Sequence, residues 1–155
     1  MGWSTSPANV HLTGGGTCTI TASQGGDTNY LAAVDVTRSF SIAKASQTIT
    51  FASLPDMTYG DADVALSATA SSGLDVTFTA QDDCTVSGTT LHITGAGTCT
   101  VTASQVGSDD YNPAPDVQRT FQIAKDSQTI TFAALSDKTY GDADFPLSAS
   151  SNKGL

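Results

Sequence analysis

Apolar and polar positions alternate along this chain in short runs with a period of two. Val76-Thr77-Phe78-Thr79 and Cys99-Thr100-Val101-Thr102-Ala103 put apolar side chains on one face and mostly threonine on the other, the pattern of a half-buried strand. Runs of this kind predict strands at 47–52, 64–70, 75–80, 84–87, 90–94, 98–104 and 117–124, with Thr58-Tyr59 as a short additional piece. Turn chemistry separates them: Tyr59-Gly60-Asp61, Ser71-Ser72-Gly73, Ser87-Gly88, Gly95-Ala96-Gly97, and Asn112-Pro113 with Pro115. Long stretches of helix formers at helical spacing are absent. About seven short strands, each with one apolar face, in roughly 80 residues fit an all-β, immunoglobulin-like sandwich of two sheets.

The same pattern recurs along the chain. Ser46-Gln47-Thr48-Ile49-Thr50-Phe51-Ala52 returns as Ser127-Gln128-Thr129-Ile130-Thr131-Phe132-Ala133, and Thr58-Tyr59-Gly60-Asp61-Ala62-Asp63 as Thr139-Tyr140-Gly141-Asp142-Ala143-Asp144. Gly16-Thr17-Cys18-Thr19-Ile20-Thr21-Ala22-Ser23-Gln24 returns as Gly97-Thr98-Cys99-Thr100-Val101-Thr102-Ala103-Ser104-Gln105. All three pairs lie 81 positions apart without a gap, which is the signature of a tandem repeat. The period divides the chain into three parts. Residues 1–45 match the C-terminal half of a repeat, residues 46–126 make a complete one, and residues 127–155 match the N-terminal half of the next. The two end parts together lack only the equivalent of Asp75–Gln81. The expectation is a stretch of a longer array.

The segments Thr-Ile-Thr-Phe, Thr-Tyr-Gly-Asp-Ala-Asp, Leu-Ser-Ala-Thr-Ala-Ser-Ser-Gly-Leu and Gly-Thr-Cys-Thr-Val-Thr-Ala-Ser-Gln, with Asp110-Tyr111-Asn112-Pro113-Ala114, resemble the MBG-type bacterial Ig-like repeats of large surface proteins. The resemblance covers nearly all of the chain beyond about residue 9. It implies a β-sandwich and a stalk or spacer role in a long, secreted, adhesin-like protein at the bacterial cell surface. Such modules occur in many unrelated proteins, so the resemblance identifies no ligand.

Composition narrows the partners. Only 14% of the 155 residues are charged, and the formal net charge is −9 with six Lys and Arg. A chain so poor in basic residues lacks the patch that phosphate backbones or anionic membranes require. No apolar run approaches the roughly 20 residues that span a bilayer, so no membrane insertion is expected. Met1-Gly2-Trp3-Ser4 has neither a basic nor an apolar leader segment. The partners expected are neighbouring repeats or other copies of the same chain.

Three cysteines are present. Cys18 and Cys99 occupy the same repeat position, whereas Trp3 stands where the complete repeat has Cys84. Cys84 and Cys99 fall on strands separated by one short strand, a closure that a sandwich can make, and a disulfide between them is expected. It implies an oxidising compartment, and closing a loop of about 15 residues contributes roughly 3 kcal/mol. Two buried reduced thiols are the alternative. A metal site is disfavoured, since no Cys-x-x-Cys pair or adjacent His is present. Cys18 is left as an unpaired thiol.

No catalytic or cofactor-binding residues emerge. His11 and His92 are repeat equivalents and do not form a pair; no Gly-x-Ser-x-Gly elbow occurs. The glycines of Gly14-Gly15-Gly16 and Gly95-Ala96-Gly97 precede strands and read as turns, not phosphate cradles. Asp61 and Asp63, with their equivalents Asp142 and Asp144, are weak calcium candidates beside a glycine turn, because clustered loop carboxylates supply some of the oxygens that calcium takes. Solvated turn aspartates are the plainer reading. The tyrosines Tyr59 and Tyr111, with Tyr140 and Tyr30, are expected to pack at sheet ends. Ile42-Ala43-Lys44-Ala45-Ser46 and Ile123-Ala124-Lys125-Asp126-Ser127 contain neither Gly nor Pro, so successive modules should form a semi-rigid rod. The function expected is a structural spacer, not an enzyme, able to assemble head-to-tail through its half repeats. The alternative is a binding module whose sandwich-end loops recognise a glycan or a protein.

Overall fold

The computed structural model describes residues 9–154; Trp3 and the rest of the first eight residues lie outside them. Among the described residues all regular secondary structure is strand, arranged in several small sheets. Among the described residues no helix is long and apolar enough to cross a membrane.

Strands β1 (Gly16–Ala22) and β2 (Val36–Ile42) form an antiparallel pair. Nine strands follow between residues 46 and 126. They are β3 (Ile49–Phe51), β4 (Met57–Thr58), β5 (Val64–Ala65), β6 (Ala68–Ala70), β7 (Thr77–Asp82), β8 (Cys84–Ser87), β9 (Thr90–Ile93), β10 (Gly97–Ser104) and β11 (Val117–Ala124). A second antiparallel pair, β12 (Ile130–Phe132) with β13 (Ala149–Ser151), closes the described chain.

The central segment holds the core. A four-stranded sheet runs β4-β11-β10-β7, beside a β3-β6 pair and a three-stranded β5-β9-β8 sheet. The apolar faces of all three meet in one cluster that includes Ile49, Phe51, Leu66, Leu91, Ile93, Val101, Phe121 and Ile123. β10 carries the pattern most plainly: Cys99, Val101 and Ala103 are fully buried while the threonines between them reach outward, as strict alternation requires. Phe51 and Phe78 stack tilted at 57° with centroids 5.4 Å apart, a favourable aromatic geometry. Across the core, the Arg119 guanidinium donates two hydrogen bonds to the Phe51 carbonyl, at 3.0 and 2.7 Å, and so ties β11 to β3.

Most expected strands form, with three differences. The expected 64–70 strand divides: Val64–Ala65 pairs with β9, and Ala68–Ala70 pairs with β3. The chain changes sheets at Leu66, whose side chain is buried and whose N–H donates to the Thr89 carbonyl. The expected 75–80 strand lies at Thr77–Asp82, where Asp82 takes a left-handed φ of 73° as the chain leaves for β8. The piece expected at Thr58-Tyr59 is Met57–Thr58, in parallel register with the end of β11.

Strand pairing repeats at the 81-residue offset. β1–β2 runs from Gly16↔Ile42 to Ala22↔Val36, and β10–β11 from Gly97↔Ile123 to Ala103↔Val117. Likewise Ile130↔Ser151 and Phe132↔Ala149 reproduce Ile49↔Ala70 and Phe51↔Ala68. Burial does not repeat. Ile20 and Phe40 are each 42% exposed, against 0% for Val101 and 3% for Phe121; Ile130 is 76% exposed, against 9% for Ile49. Among the described residues, the end segments have the strand register of the central segment without a sheet covering them.

Candidate functional site

Cys84 and Cys99 form a disulfide with their Cα atoms 5.5 Å apart, joining the four-stranded sheet to β8 inside the core. Cys18 is a free, half-buried thiol on β1.

Asp56, Asp61, Asp83 and Asp142 accept backbone N–H groups. Asp61 accepts from the Thr58 N–H at 2.7 Å and Asp142 from the Thr139 N–H at 2.9 Å, each closing its own turn. Asp63 pairs with His92 Nδ1 at 2.6 Å on the exposed face of β9. Asp144 lies on the exposed 127–155 segment, and no group of three or more metal-ligating side chains occurs among the described residues. Asp56 accepts from the Gln122 N–H at 2.9 Å. Asp83 accepts from the Thr98 N–H at 3.1 Å, and a Cβ on Gly97 would stand 2.1 Å from the same Asp83 oxygen. Only glycine fits there. His11 is exposed, as are Tyr59, Tyr30 and Tyr140, whereas Tyr111 is half-buried beside Ala45.

Two side chains that the strand pattern does not single out are buried polar groups. Gln47 and Gln105 are 4% and 8% exposed. Gln47 Nε2 donates to Gln105 Oε1 and to the Asn112 carbonyl, both at 2.7 Å, while Ser72 Oγ donates to Gln47 Oε1. This network fixes the 105–114 loop to the start of β3 and to the Ser71-Ser72 turn. A buried amide must find such partners. Its signal in the sequence is that glutamine recurs at both positions, as Gln128 and Gln24.

The fixed loop grips the preceding segment. Asp110 uses both its backbone and its carboxylate: its carbonyl accepts from the Ala45 N–H at 2.8 Å, and Oδ1 accepts from the Gly15 N–H at 2.7 Å. The Asn112 N–H donates to the Ala45 carbonyl at 2.9 Å, and Asn112 Nδ2 donates to the Lys44 carbonyl at 3.2 Å. Lys44 Nζ returns a bond to the Ser108 carbonyl at 2.6 Å. Ala45 and Tyr111 thereby form a parallel bridge. A Cβ on Gly14 would approach Asp110 Oδ1 to 2.5 Å, so a residue without a side chain lets the two loops close. The joint is short, as its sequence suggests, and it is also hydrogen-bonded on both sides.

At the second joint Gly95, Ala96 and Lys125, the equivalents of Gly14, Gly15 and Lys44, line an open groove of about 650 Å³ together with Tyr59, Gly60 and Lys153. Lys153 pairs with Asp126 and holds that carboxyl below the ordinary aspartate value. The pair supports the folded chain above the ordinary carboxylate range and is lost as the pH falls below it, a small effect for so exposed a contact. Two further depressions lie between β6 and β7 and beside Phe132 and Phe145, of about 630 and 300 Å³. The chain matches no protein-family model, no curated protein and no solved structure.

Proposed function

We propose that this chain is a segment of a tandem array of immunoglobulin-like units of the bacterial MBG type, working as a mechanical spacer and not as an enzyme. The tied joint carries this reading. A linker that merely connects two domains stays solvated and bends, because relative motion is the default unless contacts oppose it. Here Lys44 and Ala45 are hydrogen-bonded by the Ser108–Asn112 loop. Bending would break several of these bonds together.

The disulfide supports placement in an oxidising, extracellular setting, where such bonds persist. The net charge of −9 supports solubility of a long array and disfavours nucleic acid as a partner.

The test is the length of chains made of one, two and three joined copies of residues 46–126, measured by small-angle X-ray scattering. Equal increments in maximum dimension are expected, and Asp110→Ala at every joint should shorten and broaden the distance distribution. Increments that diminish with copy number, as for a flexible chain, would remove the spacer reading.

A further inference from the structure

We infer that the Ser108–Asn112 loop is a receptor for the main chain of the unit before it, so that each joint belongs to the unit on its C-terminal side and is made and lost with that unit. The inference rests on the array reading and adds to it a direction.

The two sides of the first joint contribute unequally. The loop supplies the Asp110 carbonyl and carboxylate, the Asn112 N–H and side-chain amide, and the Ser108 carbonyl. The preceding segment answers with main chain: the Gly15 N–H, the Lys44 carbonyl, and the N–H and carbonyl of Ala45. Among the described residues, its side-chain bond to the loop is that of Lys44 Nζ to the Ser108 carbonyl. A surface that reads main chain accepts many side-chain sequences, as strand addition does.

The repeat shows which positions such a surface constrains. Lys44 returns as Lys125, and Gly14, where a Cβ would crowd Asp110, returns as Gly95. Ala45, which offers the loop its backbone, becomes Asp126. Gly15 becomes Ala96; a Cβ on Gly15 would stand 2.9 Å from the Asp109 carbonyl oxygen, so gripping an alanine there displaces one peptide of the loop. The partner that fits is a strand end with lysine at the position of Lys44 and glycine at that of Gly14.

The shape of the loop is set from behind. The Ser108 N–H donates to the Tyr111 carbonyl at 3.0 Å, and Ser108 Oγ accepts from the Asp110 and Tyr111 N–H groups at 3.1 and 3.2 Å. Gln105 Oε1 accepts from the Gly107 N–H and from Gln47 Nε2, which also holds the Asn112 carbonyl. Asn112 thus has its carbonyl in the buried network and its N–H and side-chain amide on the preceding segment. All of these supports lie within residues 46–126. Opening the loop would strip the Gln47 and Gln105 amides of partners, and a buried polar group left unpaired is costly. The loop therefore opens together with the core behind it. In a pulled array, a joint survives unfolding of the unit before it and is released by unfolding of the unit after it.

The experiment uses the full chain carrying Cys18→Ser, with amide exchange followed residue by residue by NMR through a urea series. The Ala45 and Asn112 amides are expected to lose protection where Val101, in the central strand β10, loses its own, at higher urea than β1 and β2. Ser39→Pro, in the middle of β2, breaks the β1–β2 ladder and should leave the Ala45 rate unchanged. Ile123→Val, in the core of the following unit, should speed exchange at Ala45, Asn112 and Val101 by one common factor of about fivefold. The inference is overturned if Ala45 loses protection in urea together with β1–β2, if Ser39→Pro exposes it, or if Ile123→Val speeds Val101 and leaves Ala45 as it was. None of these results alters the length increments of joined arrays, so the spacer reading and this inference fail separately.

Discussion

Phe121→Ala lowers the stability of the 46–126 segment by about 3–5 kcal/mol, whereas Phe40→Ala leaves its unfolding midpoint unchanged. The two phenylalanines occupy the same repeat position and the same register, opposite Cys99 and Cys18 respectively. Their surroundings differ. Phe121 is 3% exposed in a core closed by three sheets, so truncation leaves a cavity that the disulfide-linked strands cannot collapse to fill. Phe40 is 42% exposed on a two-stranded pair, so most of its ring gains little from the fold. In a domain of this size a loss of 3–5 kcal/mol corresponds to a fall of roughly 15–30 °C in melting temperature. Urea titration of both variants at a concentration where the chain is monomeric measures the contrast. Equal effects at the two positions would mean that the β1–β2 face is as well buried as the core.

The second large effect is that of the disulfide. Cys84→Ser with Cys99→Ser lowers stability by about 3 kcal/mol, because a closed loop of 15 residues restricts the unfolded chain by about that much. Reduction of the unaltered protein should give a similar shift in the urea midpoint, and Cys18→Ser should give none. Both bonded sulfurs lie in the core, so intact protein should resist reduction until it opens. A midpoint unmoved by the double substitution would show that the bond restricts nothing in the unfolded state.

The strands of the core were legible because alternation in β10 and β11 needs only one buried face, and the 81-residue repeat fixed their limits twice over. The break at Leu66 was not legible. A strand that changes sheets keeps the same apolar pattern, and the change of partner shows only in the pairing of Val64–Ala65 with β9 and of Ala68–Ala70 with β3. The disulfide followed from Cys84 and Cys99 lying one strand apart. The aspartates were harder to read, since a turn carboxylate that accepts a backbone N–H has the same sequence context as a solvated one. Asp83 and Asp110 differ from Asp109 only through the loops brought against them. The joint shows the same limit: its shortness can be counted, but the hydrogen bonds across it come from Asp110 and Asn112, more than 60 residues after Ala45 in the chain. Distances of that kind belong to the fold.

The 81-residue unit folds as a whole, and the strand pairs on either side of it lack its covering sheets among the described residues. Hydrogen–deuterium exchange on dilute, monomeric chain, resolved by segment, tests it directly. Amides of β10 and β11 should exchange only through global unfolding, while those of β1–β2 and β12–β13 should exchange far faster, since isolated two-stranded pairs are marginally stable. Protection of Gly16–Ala22 equal to that of Gly97–Ala103 would contradict the claim, because identical strand register would then suffice for stability without the covering sheet.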